Sequence, residues 1–518
     1  MSRRPSAHVW RMLVLLIALS TVFFGCANEQ NSGDEQVYTS LSDFAGKRIG
    51  VNTGTIQGPM VEKQIPDAQL LYFNNDVDSL NALRQGKIDA FANAELMFRW
   101  MMIENEDLAI LDDPLSDPVY TGAIFTQNEK GNRLLAQFNE FIKQIKSDGT
   151  YEELDGIWYG RDDSLKTITD PSSLPAVNGT LKLAVDTSLV PVAYIRNNAY
   201  AGLDIDIAVR FCEAYGYGLE IVDMSFSALV EAVMTEKCDF GIGGIAITAE
   251  RAESVNFSDP IYESRSVLAY IKPSAKSSGS IFSSIRESFE KTFIRENRWK
   301  LFVQGIGTTM LITVLSILFG TAAGFAAFML CRNGNKAANT IARFTVWLVQ
   351  GMPVVVLLMI LYYIIFGRTQ LSGAAVSVIA FTLVFGCSVF GMLKMGVETV
   401  DRGQVEAAYS LGYTDIKAFM RFVLPQAVMH VLPSYKGEIK ALIKATAVVG
   451  YVAVQDLTKM GDIVRSRTYE AFFPLIAVAI IYFILAAILT AIVERIGIRT
   501  DPMQRTEKDI LKGIDTDR

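Results

Sequence analysis

The sequence of 518 residues is poor in the side chains that catalysis and metal binding most often use. Histidine occurs twice, at His8 and His430, and neither has a cysteine or second histidine at metal-ligand spacing, which argues against a zinc site. Five cysteines in so long a chain make no disulfide scaffold. No catalytic Ser/His/Asp or Cys/His set is visible. We therefore expect no covalent chemistry, no metal and no cofactor in this chain.

Binding signals for nucleotides and nucleic acids are also missing. The pattern Gly-x4-Gly-Lys-Ser/Thr occurs nowhere, so the chain has no P-loop with which to hydrolyse ATP. A net charge of −7 without a basic block argues against nucleic acid. The first half mixes charged and apolar residues like a soluble α/β protein, whereas the second half carries long apolar runs. A chain of this length is too long to fold around a single hydrophobic core, so we expect two or more domains.

The N-terminus has the layout of an export signal. Three arginines within the first eleven residues precede an apolar run, 12–24, which ends just before Gly25-Cys26. This order resembles a bacterial lipoprotein signal, which implies lipidation of Cys26. An uncleaved N-terminal anchor is the alternative. Either reading sends the following residues out of the cytoplasm, beginning with a polar tether.

Strand–loop–helix patterns fill the exported region. The phrases DFAGKRIGVNTGT, LRQGKIDAF and IKSDGTYEELDGIWYG resemble the second half of a type II periplasmic binding protein of the amino-acid class. The later phrase ITAERAESVNFSDPIY resembles the first half of that family. The reversed order indicates a circular permutation; two incomplete binding domains in tandem are the alternative. A permutation predicts that the strand Ser264–Ile271 shares a lobe with Lys47–Val51 and lies beside Val119–Thr126.

Apolar runs after Trp299 predict an all-α membrane domain of about five transmembrane helices. Each run is long enough to cross a bilayer core, which needs roughly 20 residues. Pro433 and several charged residues interrupt the fourth run, so its polar side should face protein or a water-filled path. The predicted spans are 302–330, 341–366, 374–397, a weaker one at 427–456, and 472–494.

A polar island between the third and fourth spans reads GQVEAAYSLGYTDIKAFMRFVLPQ, residues 403–426. It resembles the EAA loop of ABC importer permeases, a cytoplasmic helix–turn–helix that docks on a separate ATPase. The resemblance implies contacts from Glu406, Ala407 and Ala408, and a sharp turn at Gly412. An ordinary solvated loop is the alternative.

The resemblance to binding proteins also implies a ligand site. Arg251, in the ITxxR phrase, would bind the ligand's α-carboxylate, since a guanidinium matches a carboxylate bidentately. A surface ion pair of Arg251 with Glu250 or Glu253 is the alternative. The other predicted ligand-binding residues are Thr248, Gly244, Ala246, Asp186, Leu189, Thr55, Gln57, Asn93 and Glu95.

Two features of the site depart from the family. The acid that usually neutralises the α-ammonium group aligns with Ala94, so either Glu95 or Asp186 supplies the charge or the ligand lacks an amine. The position that holds an aromatic residue in the family is Leu189 here, and Tyr194 is the candidate to supply the missing ring.

Cys212 and Cys238 could form a disulfide or remain buried thiols.

The resulting hypothesis is a solute-binding/permease fusion subunit of an ATP-driven ABC importer for amino acids or related small carboxylates. It would lie in a bacterial inner membrane with the binding domain outside, and would need an ABC ATPase chain and a second permease copy, either a homodimer or a related subunit. A regulatory sensor with a degenerate pocket and a ligand-gated channel are the alternatives. The predicted divisions are 1–26 signal, 27–41 tether, 42–160 second half of the binding domain (lobe 2 plus returning helices), 161–180 linker, 181–273 first half (lobe 1), 274–298 connector, 299–500 permease and 501–518 tail.

Overall fold

A computed structural model of the chain describes residues 38–272, 281–332, 334–367, 369, 371–470 and 472–500. The predicted signal with Cys26 and the predicted cytoplasmic tail lie outside these residues. Within them, two α/β lobes are followed by a block of helices. This agrees with the predicted fold class of a two-lobed α/β domain before an all-α domain.

The strands and helices follow one another along the chain in three groups. The strands are β1 (Arg48–Asn52), β2 (Gln69–Phe73), β3 (Ala90–Ala94), β4 (Leu108–Ile110), β5 (Val119–Thr121), β6 (Ile124–Phe125), β7 (Thr180–Val185), β8 (Ser188–Leu189), β9 (Ala193–Arg196), β10 (Ala199–Ala201), β11 (Gly218–Asp223), β12 (Phe240–Gly241), β13 (Asn256–Phe257), β14 (Tyr262–Ser264) and β15 (Ser266–Ile271). The helices of the lobes are α1 (Gln57–Gln64), α2 (Asp76–Arg84), α3 (Glu95–Glu104), α4 (Glu129–Ser147), α5 (Thr150–Trp158), α6 (Leu203–Ala214), α7 (Leu229–Met234) and α8 (Ala249–Ala252). The remaining helices are α9 (Ile281–Phe289), α10 (Trp299–Arg332), α11 (Lys336–Gln350), α12 (Val354–Met359), α13 (Gly373–Glu398), α14 (Arg402–Ser410), α15 (Asp415–Ala418), α16 (Leu424–Ala445), α17 (Leu457–Thr468) and α18 (Phe472–Thr500).

Each lobe is built on a five-stranded sheet. Lobe 2 has the strand order β2-β1-β3-β15-β4, and lobe 1 has the order β11-β7-β12-β6-β13. The parallel strands β1, β3 and β7 read as nearly continuous buried runs, as expected for strands covered on both faces. The long helix α4 is capped by Asn128, whose side chain accepts a hydrogen bond from the amide of Gly131. It packs Phe138 edge-on against Phe211 of lobe 1.

The two halves of the α/β region exchange strands. β15, from the later segment, lies between β3 and β4 of lobe 2, while β6, from the earlier segment, lies between β12 and β13 of lobe 1. β5 pairs with β14 where the chain passes between the lobes. The predicted strand Val119–Thr126 is therefore two short strands in different sheets. β15 shares a lobe with β1, as predicted, but its neighbours are β3 and β4. Of the predicted strand Ser264–Ile271, Ser264 belongs to β14 and pairs with Val119 of β5. The two segments form one intertwined two-lobed unit.

The helical block contains three helices that are long and apolar enough to span a membrane by themselves: α10, α13 and α18. Helix α11 and the helical stretch Val354–Ile365 are long and apolar enough to span a membrane only when taken together. As one span they are bent by 108° at the break that contains Pro353. The predicted span 427–456 is α16 followed by a 3-10 turn, and it does not pass because it is too polar. Five spans thus remain a prediction, and three or four meet the criterion within the described residues.

The cysteines of the lobes form no disulfide. Cys212 and Cys238 are both buried free thiols, which is the second of the two possibilities that the sequence left open.

Helix α10 connects two distant parts of the protein. Its first turns pack Leu301 and Phe302 against Ile195 of lobe 1, and its last residue, Arg332, forms an ion pair with Asp415 in α15. The helix has 34 residues, which is about 50 Å at roughly 1.5 Å per residue and exceeds the ~30 Å hydrocarbon core of a bilayer. The lobes and the polar segment 403–426 therefore lie at opposite ends of α10.

Candidate functional site

A cavity of about 110 Å³ lies between the two lobes. Its walls come from the loops that follow the sheet strands, the usual place for a ligand in α/β folds. The cavity brings together eight of the ten predicted ligand-binding residues: Thr55, Gln57 and Asn93 from lobe 2, and Asp186, Leu189, Gly244, Ala246 and Arg251 from lobe 1.

Arg251 joins the two lobes across this cavity. One guanidinium nitrogen, Nη1, donates to the carbonyl of Ala246 at 3.0 Å, and the other, Nη2, donates to the carbonyl of Gly54 in lobe 2 at 2.8 Å. None of the ion pairs among the described residues joins Arg251 to Glu250 or Glu253. Because a guanidinium carries five N–H donors, donors remain for a ligand.

Two predicted residues lie outside the cavity. Thr248 caps α8, where its hydroxyl accepts a hydrogen bond from the amide of Arg251 at 3.3 Å. Glu95 forms an exposed ion pair with Arg265 at 2.9 Å, so it does not supply the missing charge. Tyr194 does not replace the aromatic residue either, since it is buried with its ring 5.2 Å from the guanidinium of Arg467.

Asp186 lines the cavity, but its oxygens are already engaged. The carboxylate accepts hydrogen bonds from the amide and hydroxyl of Ser188, at 2.9 and 2.7 Å, and from the amide of Phe226 at 2.7 Å. Lys459 of α17 adds an ion pair at 3.4 Å. Asp186 therefore serves mainly to hold its own loop and the α17 contact.

Asp76 is a cavity residue that the sequence reasoning missed. It is buried at the start of α2, and its Oδ1 atom accepts hydrogen bonds from the side-chain amides of Asn52 and Asn93. Burial raises the pKa of Asp76 to about 6, and the nearby Asp186 carboxylate contributes to the rise. Asn75-Asp76 looks in the sequence like an ordinary helix start. The available signal was its place after β2, at the same end of the sheet as the loop of Thr55.

Helix α17 crosses from lobe 1 to lobe 2. Lys459, near its start, lies 3.4 Å from both Asp186 and Asp223 of lobe 1. Arg465, two turns later, pairs with Asp78 on α2 of lobe 2. We call α17 the bridging helix, because its cations contact both walls of the cleft.

The bridging helix is also attached to α10. The amide of Leu457 donates to the hydroxyl of Thr309 at 3.1 Å. A Cβ atom on Gly305 would lie 2.8 Å from the Cα atom of Leu457, so this close approach requires glycine. The bridging helix thus contacts both lobes and the first long apolar helix at once.

The segment 403–426 forms a helix–turn–helix, as predicted. Gly412 has a φ of +81° in the turn between α14 and α15, which confirms the sharp turn. Glu406 and Ala407 are exposed, while Ala408 is buried. Two apolar side chains at the turn are open to solvent, Leu411 at 74% and Ile416 at 60%. We call this segment the elbow.

Three comparisons relate the chain to known proteins. The profile of the bacterial extracellular solute-binding proteins, family 3, matches residues 181–446, just over half of the chain, beginning in β7. The putative glutamine transport system permease protein of Rickettsia conorii is 32% identical over 197 residues, 37% of this chain and 89% of that protein. The arginine transport system permease protein of Bacillus subtilis is 30% identical over 195 residues, with 37% and 88% covered. A solved amino acid ABC transporter shares 26% identity over 43% of this chain and 100% of its own, with a TM-score of 0.37.

Proposed function

We propose, from the premise that the chain belongs to the bacterial extracellular solute-binding proteins, family 3, and its helical block to the amino-acid ABC-transporter permeases, that it is the binding and permease subunit of one ABC importer. The relatives transport amino acids by their names, which favours an amino acid as the solute. The protein is a multi-pass membrane protein. The two lobes would bind solute outside the cell and deliver it to the helical block.

The observation that carries this proposal is the separation of the lobes from the elbow along α10. A solute receptor must face the outside, while an ATPase is supplied with ATP inside. A helix of about 50 Å between them is long enough to place a bilayer in between. Lobes and elbow on one side of the membrane would be incompatible with an importer.

The elbow is the proposed docking site of a separate ABC ATPase. Its exposed Leu411 and Ile416 offer apolar contact area, and Glu406 beside them offers a charged contact. Asp415 of the elbow is held by Arg332 of α10 and by the hydroxyl of Tyr409 at 2.9 Å, so motion of the elbow would reach α10.

Co-purification tests this docking. The ATPase from the same genome should be retained by the wild-type chain in detergent, and Glu406→Lys should abolish that retention. Glu213→Lys, a charge reversal at an exposed position on α6, is the matched control and should retain the ATPase. Retention by Glu406→Lys at the wild-type level would contradict the proposed site.

We infer that the binding domain is circularly permuted within its family. Two observations support this: the family profile begins to match at residue 181, and each sheet receives one strand from the other segment. A reordered polypeptide in which residues 181–272 precede residues 38–160, as in the family, should fold and bind the same solute as the full chain. Failure of that reordered domain to fold would argue against a permutation.

A second permease copy would complete the transport path. Exposed polar residues recur at helical spacing along one face of α16, although the neighbouring helices are apolar. Contact of this polar stripe with lipid would be unfavourable. Its polar members are Gln426, His430, Ser434, Lys440 and Lys444, and the exposed Gly437 lies among them. We propose that this stripe faces the same stripe of a second copy. A cysteine at Gly437 should then cross-link to a dimer in membranes, whereas one at Leu318, exposed on α10, should not.

A further inference from the structure

The cavity contains one buried carboxylate without a cation. Asp76 forms no ion pair among the described residues, and the hydrogen bonds from Asn52 and Asn93 both reach Oδ1. In the part of the chain that the structure describes, no hydrogen bond reaches Oδ2, although Asp76 lines the cavity. A carboxylate held by amides on one oxygen and open on the other lacks a positive partner.

The other acids near the cavity are already engaged. Asp186 accepts three hydrogen bonds and pairs with Lys459, and Glu95 pairs with Arg265 outside the cavity. Asp204 lies behind the cavity wall, where one oxygen accepts from the amide of Gly244 at 3.3 Å and the other is enclosed. Among the described residues, only Asp76 combines an open oxygen with a position on the cavity surface.

The cation that Asp76 lacks can be supplied by the solute. Arg251, on the opposite lobe, is suited to a carboxylate, so the cavity presents a positive group on one wall and a negative group on the other. At about 110 Å³ it is well below the roughly 300–1,000 Å³ of sites for drug-sized molecules, which restricts it to a small molecule.

We propose that Asp76 binds the α-ammonium group of the solute while Arg251 binds its α-carboxylate, so that the site selects zwitterionic amino acids over simple carboxylates. This rests on the proposed function and specifies its substrate class. The ammonium-binding role that Ala94 cannot fill is taken by a residue on another element of the same lobe. Arg251 already joins the two lobes through the carbonyl of Gly54, so the two charged walls face one small cavity and can hold the two charged groups of one ligand.

A pair of matched ligands tests the proposal. The purified full-length chain is titrated with each of the common L-amino acids and with the 2-hydroxy acid of the same side chain, which retains the carboxylate and lacks the amine. The wild type should bind at least one amino acid on the order of 100-fold more tightly than its hydroxy acid, since an unpaired buried carboxylate opposes the latter. Asp76→Asn should remove most of this preference.

The controls separate this proposal from the proposed function. Asparagine at position 76 can still accept the two amide hydrogen bonds on Oδ1, so the variant should fold. Asp107→Asn is the matched control, because it makes the same change of residue at a distant ion pair with Arg84 in the same lobe. A preference that survives in Asp76→Asn, or hydroxy acids that bind as well as amino acids, would overturn the role of Asp76 and leave an importer intact. Binding of neither class, with the ATPase still captured through Glu406, would overturn the proposal and favour a regulatory sensor.

Discussion

Replacing Asp76 by asparagine should make the empty protein more stable at neutral pH. The pKa of Asp76 is about 6, against an ordinary value of 3.8. That difference of about 2 units corresponds to roughly 3 kcal/mol at about 1.4 kcal/mol per unit. It measures how much burial disfavours the ionised carboxylate in the folded protein. Asparagine has no charge to bury, so the variant avoids this cost.

The direction of the pKa shift determines how the stability difference between the wild type and Asp76→Asn changes with pH. Because the pKa is raised in the folded state, the folded protein holds this proton more tightly than the unfolded chain does. Relative to Asp76→Asn, the wild type therefore loses stability as the pH rises from 3.8 to about 6. The two proteins should unfold at similar temperatures near about pH 4, and the variant should be the more stable by about pH 7.

Thermal unfolding of the purified full-length protein, without solute, measures this difference. Asp107→Asn provides a control of opposite sign: hydrogen bonding from Arg84 lowers the pKa of Asp107, so its stabilising effect is present above its ordinary pKa and lost as the pH falls. A wild type that gains stability relative to Asp76→Asn between acid and neutral pH would refute an uncompensated carboxylate at this position.

Three further changes follow from the same contacts. Arg251→Ala should weaken binding of an amino acid on the order of 100-fold in a titration, because it removes the proposed partner of the α-carboxylate; unchanged affinity would contradict the site. Lys459→Met should lower the thermal unfolding midpoint, since breaking a buried ion pair costs about 3–5 kcal/mol, and Asp223→Asn in the same chain should restore part of the loss. Gly412→Ala should reduce capture of the ATPase, because a φ of +81° is strained by about 1 kcal/mol in alanine. Gly149→Ala is the control and should leave capture unchanged, because Gly149 has a similar φ of +83° but lies in a lobe. The added methyl group meets open space at both positions.

Local patterns predicted most of the strands and helices, since each depends on a short stretch of sequence. The predicted strand Lys47–Val51 lies within one residue of β1, and the turn at Gly412 lies where it was expected. Eight of ten ligand-site residues also line one cavity, because the family resemblance carries their positions with it. The break at Pro353 was visible in the sequence, but whether a proline bends one apolar run into two helices depends on what packs around it.

The residues that were missed depend on contacts between distant parts of the chain. Asp76 lines the cavity together with lobe 1 residues that are distant in the sequence, and one aspartate before a helix carries no such information. The bridging helix is a polar segment between two apolar runs, and its pairing with Asp78 spans almost four hundred residues of sequence. Glu95 was a reasonable candidate by position alone, but it lies beside Arg265 of β14–β15, which local patterns do not reveal.

The bridging helix offers a physical route from solute to ATPase. Lys459 pairs with Asp186 on one wall of the cavity, and Arg465 pairs with Asp78, two residues from Asp76 on the other wall. If the lobes separate, the two pairs cannot both persist unless the bridging helix moves. Because Leu457 is fastened to Thr309 and packed against Gly305, such a movement must displace α10 or break these contacts. Helix α10 ends at Arg332, which pairs with Asp415 of the elbow, so a displacement of α10 would reach the elbow through this ion pair.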